Sequence, residues 1–139
     1  MAVDASVIGL KHKANLLIDE SLTVPRVSDR FKSFGDMPPV FATAFLVGFI
    51  EATCIEALAP WLDEGQGTVG THVDVSHIAA TPAGMIVTAE VELIGVEGRA
   101  LHFRVSARDE RDLIGEGEHK RAIIDRERFT ARVNSKREG

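Results

Sequence analysis

The chain has 139 residues, of which 45% are hydrophobic and 27% charged, a composition typical of one globular domain rather than a disordered segment. Its formal net charge of -5 argues against non-specific binding to nucleic acid. The single cysteine, Cys54, excludes an internal disulfide and is typical of a reducing compartment. Because the N-terminal residues lack the pattern of a secretory signal, we expect a cytoplasmic protein without a nucleic-acid partner.

The first half of the chain predicts a strand, a lid and a long helix. Residues 14–24 have the branched and apolar composition of a strand. Residues 24–39 are rich in Pro, Ser, Gly and Asp, which indicates a loop or lid. Residues 39–62 are apolar on almost every helical face and predict a helix surrounded by other structure. This helix is as long as a membrane span, but Glu51 and Glu56 interrupt it, so we expect no membrane partner.

Four further strands are predicted after the helix, followed by a basic tail that we expect to be frayed. The strands are residues 68–77, 85–96, 100–108 and 113–129, and the tail is residues 131–139. Turn signals separate consecutive strands, and every connection between them is short. Short connections favour antiparallel pairing, so the sequence predicts one antiparallel sheet.

These elements together predict an α+β hotdog fold. One sheet of about five strands offers a single face to the helix, but a helix that is apolar all round needs cover on its other side too. The economical solution is a curved antiparallel sheet wrapped around a long central helix, with a second copy closing the open side. We therefore expect residues 1–139 to form a single hotdog domain that pairs into a homodimer.

Glu51 is the first candidate for chemistry, because a charge in an apolar helix is costly unless it is paired or hydrogen-bonded. Thr43 lies eight residues earlier, about 12 Å along the helix and roughly 80° around it, so the two are unlikely partners within one helix. In a hotdog dimer they can meet across the interface, each from a different subunit, or line the two ends of one cleft. His77 ends a predicted strand, where a loop can aim it at that cleft.

Several segments, in order along the chain, resemble one known family. They are V-F-A-T (40–43), V-G-F-I-E (47–51), A-P-W-L (59–62), H-I-A-A-T-P-A-G (77–84), V-E-G-R (96–99), R-V-S-A (104–107) and I-G-E-G-E-H-K-R-A (114–122). Together they resemble the fluoroacetyl-CoA thioesterase family of small, single-domain hotdog acyl-CoA thioesterases. The similarity runs from about residue 38 to residue 129, and several segments in the same order and spacing are far more specific than any one alone.

The resemblance implies hydrolysis of a short acyl-CoA and places the family's catalytic residues on Thr43, Glu51 and His77. Glu51 is then the nucleophile or the general base toward water, and His77 supplies or relays a proton. Thr43 would hydrogen-bond the carboxylate or the thioester region. The family's chemistry needs neither a metal nor a separate cofactor, because coenzyme A is part of the substrate.

The resemblance also implies three positions that bind substrate. Gly70 corresponds to the family's substrate-side glycine in the second strand, where a backbone N–H could stabilise an oxyanion. Arg121 corresponds to an arginine near the cleft, and we expect it to contact the phosphates of coenzyme A. Met37 stands in the lid where the fluoroacetyl-specific enzyme has a phenylalanine of its substrate gate. The resemblance therefore implies thioester hydrolysis without fixing selectivity for a fluoroacetyl group.

Other interpretations of the same residues are weaker. Cys54 could be a nucleophile paired with His77, but free cysteines are usually buried and structural. His72, Asp74 and His77 could form a metal site, but the period-two alternation of a strand separates His77 from the other two. A hydratase or dehydratase on the same fold, and a non-catalytic acyl-CoA binding module, remain as alternative functions.

Overall fold

The computed structural model describes residues 3–138 and contains five strands and two α-helices. They are β1 (Lys11–Leu17), α1 (Thr43–Leu58), β2 (Gln66–Val75), β3 (Ile86–Glu97), β4 (Ala100–Arg108), β5 (Leu113–Asp125) and α2 (Arg126–Asn134). The strands form one antiparallel sheet in the order β1-β3-β4-β5-β2, and α1 packs against it. This arrangement confirms the predicted α+β hotdog fold, with a long central helix against a curled sheet of five strands.

The core lies between one stripe of α1 and the inner face of the sheet. The buried stripe of α1 repeats every four residues, at Leu46, Ile50, Cys54 and Leu58. Alternate residues of β3 and β4 face this stripe, and they are Val87, Ala89, Val91, Leu93, Leu101, Phe103, Val105 and Ala107. The helical period of about 3.6 and the strand period of two therefore meet at one apolar layer.

One face of α1 is not covered by its own chain. This exposed face carries Ile55 and the small residues Ala44, Gly48 and Ala52. By length and composition alone, Thr43–Trp61 could cross a membrane, and 33% of its most apolar window is buried in the protein. The core helix of a non-membrane protein meets the same criterion. The predicted helix of residues 39–62 is shortened to α1 plus the 3-10 turn Ala59–Trp61.

The first predicted strand was placed too late in the chain. The strand is β1, Lys11–Leu17, rather than residues 14–24, and it pairs with β3. Its alternation is weak in the sequence because the inward positions His12 and Ala14 are only slightly apolar. The outward Lys13 lies 3.3 Å from Glu90 of β3. After β1 the chain turns at Asp19, whose carboxylate accepts a hydrogen bond from the backbone N–H of Ser21.

The last predicted strand was too long, and the predicted frayed tail is largely helical. Strand β5 ends at Asp125 rather than at Phe129. Asp125 caps the helix α2, because its side chain accepts a hydrogen bond of 3.0 Å from the backbone N–H of Arg128. Helix α2 then continues to Asn134 and is followed by a 3-10 turn, Ser135–Arg137.

Candidate active site

A carboxylate–guanidinium pair lies between the middle of α1 and β5. Arg121 donates a hydrogen bond from Nη1 to Oε2 of Glu51 over 2.8 Å. Its Nε and Nη2 donate to the hydroxyl and the carbonyl oxygen of Thr68, each over 2.9 Å. Arg121 is 3% exposed and the Glu51 side chain 37% exposed, so a buried cation holds a carboxylate that solvent can reach. Oε1 of Glu51 accepts no hydrogen bond within residues 3–138 and is available to a ligand.

A buried histidine, His119, is hydrogen-bonded to Arg121 and helps to hold its guanidinium group in place. Nδ1 of His119 lies 2.8 Å from the carbonyl oxygen of His72. Because a carbonyl only accepts, Nδ1 carries the proton, and Nε2 accepts the second hydrogen bond of Arg121 Nη1, over 3.1 Å. Burial lowers the pKa of His119, which is 1% exposed, and the positive charge of Arg121 lowers it further. The neutral imidazole thus holds Nη1 toward Glu51.

Sequence reasoning did not identify His119 as part of the site. One signal could have found it: period-two alternation in β5 places residues 119 and 121 on the same face of the strand. A polar pair on the buried face of a strand needs partners, and Glu51 is the nearby acid on α1.

Gly70 leaves the space that the Glu51 carboxylate occupies. It lies on β2 opposite Arg121, next to a register shift between Gly70 and His72. A Cβ atom built on Gly70 would lie only 2.6 Å from Oε2 of Glu51 and 3.4 Å from Nη1 of Arg121. Close approach of the backbone to the carboxylate therefore requires glycine here, and the predicted substrate-side position lies directly beside Glu51.

A hydroxyl–imidazole pair lies at the start of α1. Oγ1 of Thr43, the first residue of the helix, is 2.7 Å from Nδ1 of His77. The ring of Phe41, which is buried, meets the His77 ring edge-on with centroids 6.5 Å apart. Burial lowers the pKa of His77, so its imidazole is neutral near pH 7. Nε2 of His77 is buried and has no hydrogen-bond partner among the described residues, which leaves it open to a ligand or to a second chain.

The predicted site residues thus form two groups within one chain. We call Thr43 with His77 the hydroxyl–imidazole half-site, and Glu51 with Arg121 and Gly70 the carboxylate half-site. The structure brings the members of each half-site together. The two half-sites are separated along α1 by about 12 Å, the rise over eight helical residues.

One of the two remaining predicted substrate contacts serves another purpose in the structure. Met37, in the predicted lid of residues 24–39, is 46% exposed. Arg121 was expected to contact the phosphates of coenzyme A, but it is buried, and its donors are directed at Glu51, Thr68 and His119. Its place in the structure is that of a residue that positions Glu51.

The cysteine alternative is unfavourable on physical grounds. Cys54 is fully buried, and burial raises the pKa of its thiol to about 12. The reactive thiolate is therefore negligible at neutral pH. The described residues contain no group of three or more His, Cys, Asp or Glu side chains arranged to hold a metal ion.

The fold and the two half-sites define a class, that of hotdog proteins with a carboxylate, a hydroxyl and an imidazole at the central helix. A family model described as fluoroacetyl-CoA-specific thioesterase matches residues 19–127. The chain belongs to this family.

Individual relatives agree with this assignment. The chain is 43% identical over 133 residues to the fluoroacetyl-CoA thioesterase of Streptantibioticus cattleyicolor, and the match covers 96% of each chain. A solved structure of the fluoroacetyl-CoA thioesterase FlK superposes with a TM-score of 0.92, at 43% identity, covering 96% of this chain and 98% of that one. A thioesterase superfamily member from Thermus thermophilus is 28% identical, with a TM-score of 0.84 and coverage of 94% and 93%.

Proposed function

We propose that this protein hydrolyses the thioester of a short-chain acyl-CoA to a carboxylic acid and free coenzyme A. Membership of the fluoroacetyl-CoA-specific thioesterase family supports this activity. The single structural observation that carries the proposal is the Glu51 carboxylate, which Arg121 holds by one oxygen while the other remains accessible. Such a carboxylate can act on a thioester without a metal or a separate cofactor.

In the reaction, a C–O bond forms at the acyl carbon, the C–S bond breaks, and a proton reaches the departing sulfur. Glu51 serves either as the nucleophile, giving an anhydride that water then opens, or as the base that takes a proton from the attacking water. With Nδ1–H donating to Oγ1 of Thr43, the neutral His77 can accept a proton at Nε2, from water or from Glu51, and pass that proton to the departing sulfur. Both routes use the same three side chains.

The half-sites support an active site shared between two copies of the chain. Within one chain the hydroxyl–imidazole pair and the carboxylate stand about two turns apart on α1. A two-fold axis brings the first half-site of one copy to the second half-site of its partner. Two uncovered surfaces favour such a dimer. They are the exposed face of α1 and the free edge of β2, which within residues 3–138 pairs only with β5.

A mixture of two inactive variants tests the shared site. In a heterodimer of Glu51→Gln and His77→Ala chains, one site combines the intact Glu51 of one chain with the intact His77 of the other. Random 1:1 assembly gives heterodimers as half of all dimers, each with one working site, so about a quarter of wild-type activity should return. If each active site used both half-sites of the same chain, every site in the mixture would lack one of the two residues, and the mixture would stay as inactive as its components.

The acyl group is proposed to be short, and the lid, residues 24–39, is proposed to set its size. Relatives named for fluoroacetyl-CoA suggest a two-carbon acyl group, but Met37 replaces the gate phenylalanine that the family resemblance implies. Comparison of acetyl-, fluoroacetyl-, propionyl- and phenylacetyl-CoA, with wild type and Met37→Phe, assigns the preference. A higher ratio of fluoroacetyl to acetyl hydrolysis in Met37→Phe supports a gating position, and an unchanged ratio contradicts it.

The primary experiment measures thiol release from these esters with wild type and Glu51→Gln. We expect the variant to lose at least about a hundredfold in rate, as for removal of a general base. Glu56→Gln, a change on the same helix at an exposed carboxylate, is the matched control. Thiol release unaffected by Glu51→Gln would overturn the assignment. Tight ester binding without thiol release favours a binding module, and hydration of an enoyl ester favours a hydratase.

We propose that the enzyme acts in the cytoplasm, without a membrane or nucleic-acid partner. The net charge of -5 and the single buried cysteine support this location. Although α1 is long and apolar, Glu51 in its middle is paired with Arg121 of the sheet, and one face of the helix forms the core. Fractionation of cells should recover the protein without membranes, and its recovery in the membrane fraction would contradict the proposal.

A further inference from the structure

Three arginines, Arg99, Arg128 and Arg132, line one cavity beside the end of β5. The cavity has a volume of about 440 Å³, within the range of small-molecule sites, and Phe129 forms part of its wall. None of the three guanidinium groups forms an ion pair with a carboxylate in residues 3–138. In a chain of net charge -5, unneutralised positive charge is therefore concentrated at one concave place.

The local structure holds these side chains around the cavity. Arg99, in the turn between β3 and β4, donates from Nη1 to the carbonyl oxygen of Ile123 over 3.3 Å. Arg128 and Arg132 are four residues apart on α2 and so share a face of that helix. The guanidinium carbon of Arg132 lies 5.9 Å from the centroid of the Phe129 ring. The result is a pocket with flat, cationic and aromatic surfaces.

One carboxylate, that of Asp125, also lines the cavity, so three positive charges face one negative charge there. The side chain of Asp125 accepts the backbone N–H of Arg128 as the cap of α2. The cavity begins at Ala122, the residue after Arg121, and Asp125 is about 13 Å from Arg121 along the strand. Because side chains alternate, Ala122 faces the side of the sheet opposite Glu51, and a ligand that reaches both places passes around the end of β5.

We propose that this cavity binds the 3′-phosphorylated ADP end of the acyl-CoA substrate. Guanidinium groups match phosphate oxygens in geometry and charge, and an aromatic ring offers a stacking surface to adenine. The identity of the ligand rests on the proposed thioesterase function, whereas the chemistry of the pocket is shared by any phosphorylated adenine nucleotide. Arg99, Arg128 and Arg132 take the phosphate-binding role that we expected of Arg121 from the sequence.

The test compares two esters of the same acyl group, one on coenzyme A and one on pantetheine, which lacks the nucleotide. The variant is Arg128→Ala/Arg132→Ala, and the matched control is Lys136→Ala/Arg137→Ala, which removes two charges from the neighbouring turn outside the cavity. We expect the ratio of kcat/KM for the CoA ester to that for the pantetheine ester to fall about tenfold in the first variant, through KM. The control should keep the wild-type ratio. An unchanged ratio in the first variant, or an equal fall in both, would overturn the proposal.

A second readout separates failure of the pocket from failure of the function. Calorimetric binding of adenosine 3′,5′-bisphosphate to wild type and to the Arg128→Ala/Arg132→Ala variant needs no catalysis. If neither ester is hydrolysed, the thioesterase function has failed, and weaker nucleotide binding by the variant still supports the pocket. Equal binding by both proteins overturns it. If ATP and the bisphosphate bind alike while the ester ratio is unchanged, the pocket serves a free nucleotide and its assignment to the substrate is wrong.

Discussion

Arg121 and Glu51 are 70 residues apart in sequence and share a hydrogen bond of 2.8 Å. The arginine is almost completely buried, whereas the carboxylate reaches solvent. A buried cation with fixed partners can hold such a carboxylate in one orientation. The pair therefore connects the rigid sheet to the reactive group on α1.

The first prediction concerns this pair. Arg121→Met leaves the carbonyl oxygen of Thr68 and Nε2 of His119 without their donor, which costs about 1–3 kcal/mol in the free energy of unfolding for a buried polar group. Arg121→Lys keeps the positive charge but cannot reproduce the planar set of donors with which Arg121 binds Glu51 and Thr68. We therefore expect kcat/KM to fall at least about tenfold. Urea unfolding and thiol release measure the two effects. Arg104→Lys, at an exposed pair with Glu92, should change neither.

The second prediction is steric. Gly70→Ala would place a Cβ atom 2.6 Å from Oε2 of Glu51, so the carboxylate or the strand must move. A displacement of about 1 Å at a reactive group can cost a hundredfold in rate, and we expect a loss in kcat of that order. Gly95→Ala, on β3, is the control, because its Cβ would meet only His102 at 3.4 Å. Full activity in Gly70→Ala would show that the carboxylate does not need its present position.

The sequence allowed the main architecture to be predicted because its periodicities are strong. Alternation in β2, β3 and β4 and the turn at residues 97–99 indicated a meander, and the apolar helix indicated a protein wrapped around it. β1 was misplaced because its inward positions His12 and Ala14 are only slightly apolar, which weakens the alternation. The end of β5 was misplaced because Asp125, its last residue, also caps α2, so residues 126–129 begin a helix instead of continuing the strand.

The active-site residue types were accessible from sequence, but their pairings were not. Thr43, Glu51 and His77 were found from the apolar helix and the family resemblance. The contact of His119 with the carbonyl oxygen of His72, and hence the role of Arg121, depends on the register of β5 against β2. A register is a tertiary property that no local pattern specifies, which is why Arg121 was assigned to substrate phosphates instead of to Glu51.

The third prediction concerns the pH dependence of activity. Burial lowers the pKa of His77 below its ordinary value of 6.5, so the neutral imidazole persists as the pH falls through that value. If neutral His77 is required, the acid limb of kcat/KM has its midpoint below pH 6.5. His77→Gln should lower the rate by about a hundredfold or more and change the shape of this acid limb. A midpoint at or above pH 6.5, or the same limb in the variant, would contradict the assignment.

The fourth prediction links His119 to stability. Burial lowers its pKa in the folded protein, so between that lowered pKa and 6.5 the unfolded chain binds more protons than the folded one. Its stabilising effect is complete above pH 6.5 and is lost as the pH falls toward the folded-state pKa.

Gln at this position offers an amide that can donate to the carbonyl oxygen of His72 and accept from Arg121, but it does not titrate. Urea unfolding at fixed protein concentration, from pH 5 to pH 8, should therefore show a steeper dependence on pH for wild type than for His119→Gln. Because His77 titrates in both proteins, the difference between the two curves isolates His119, and parallel curves would show that its buried neutral state does not contribute.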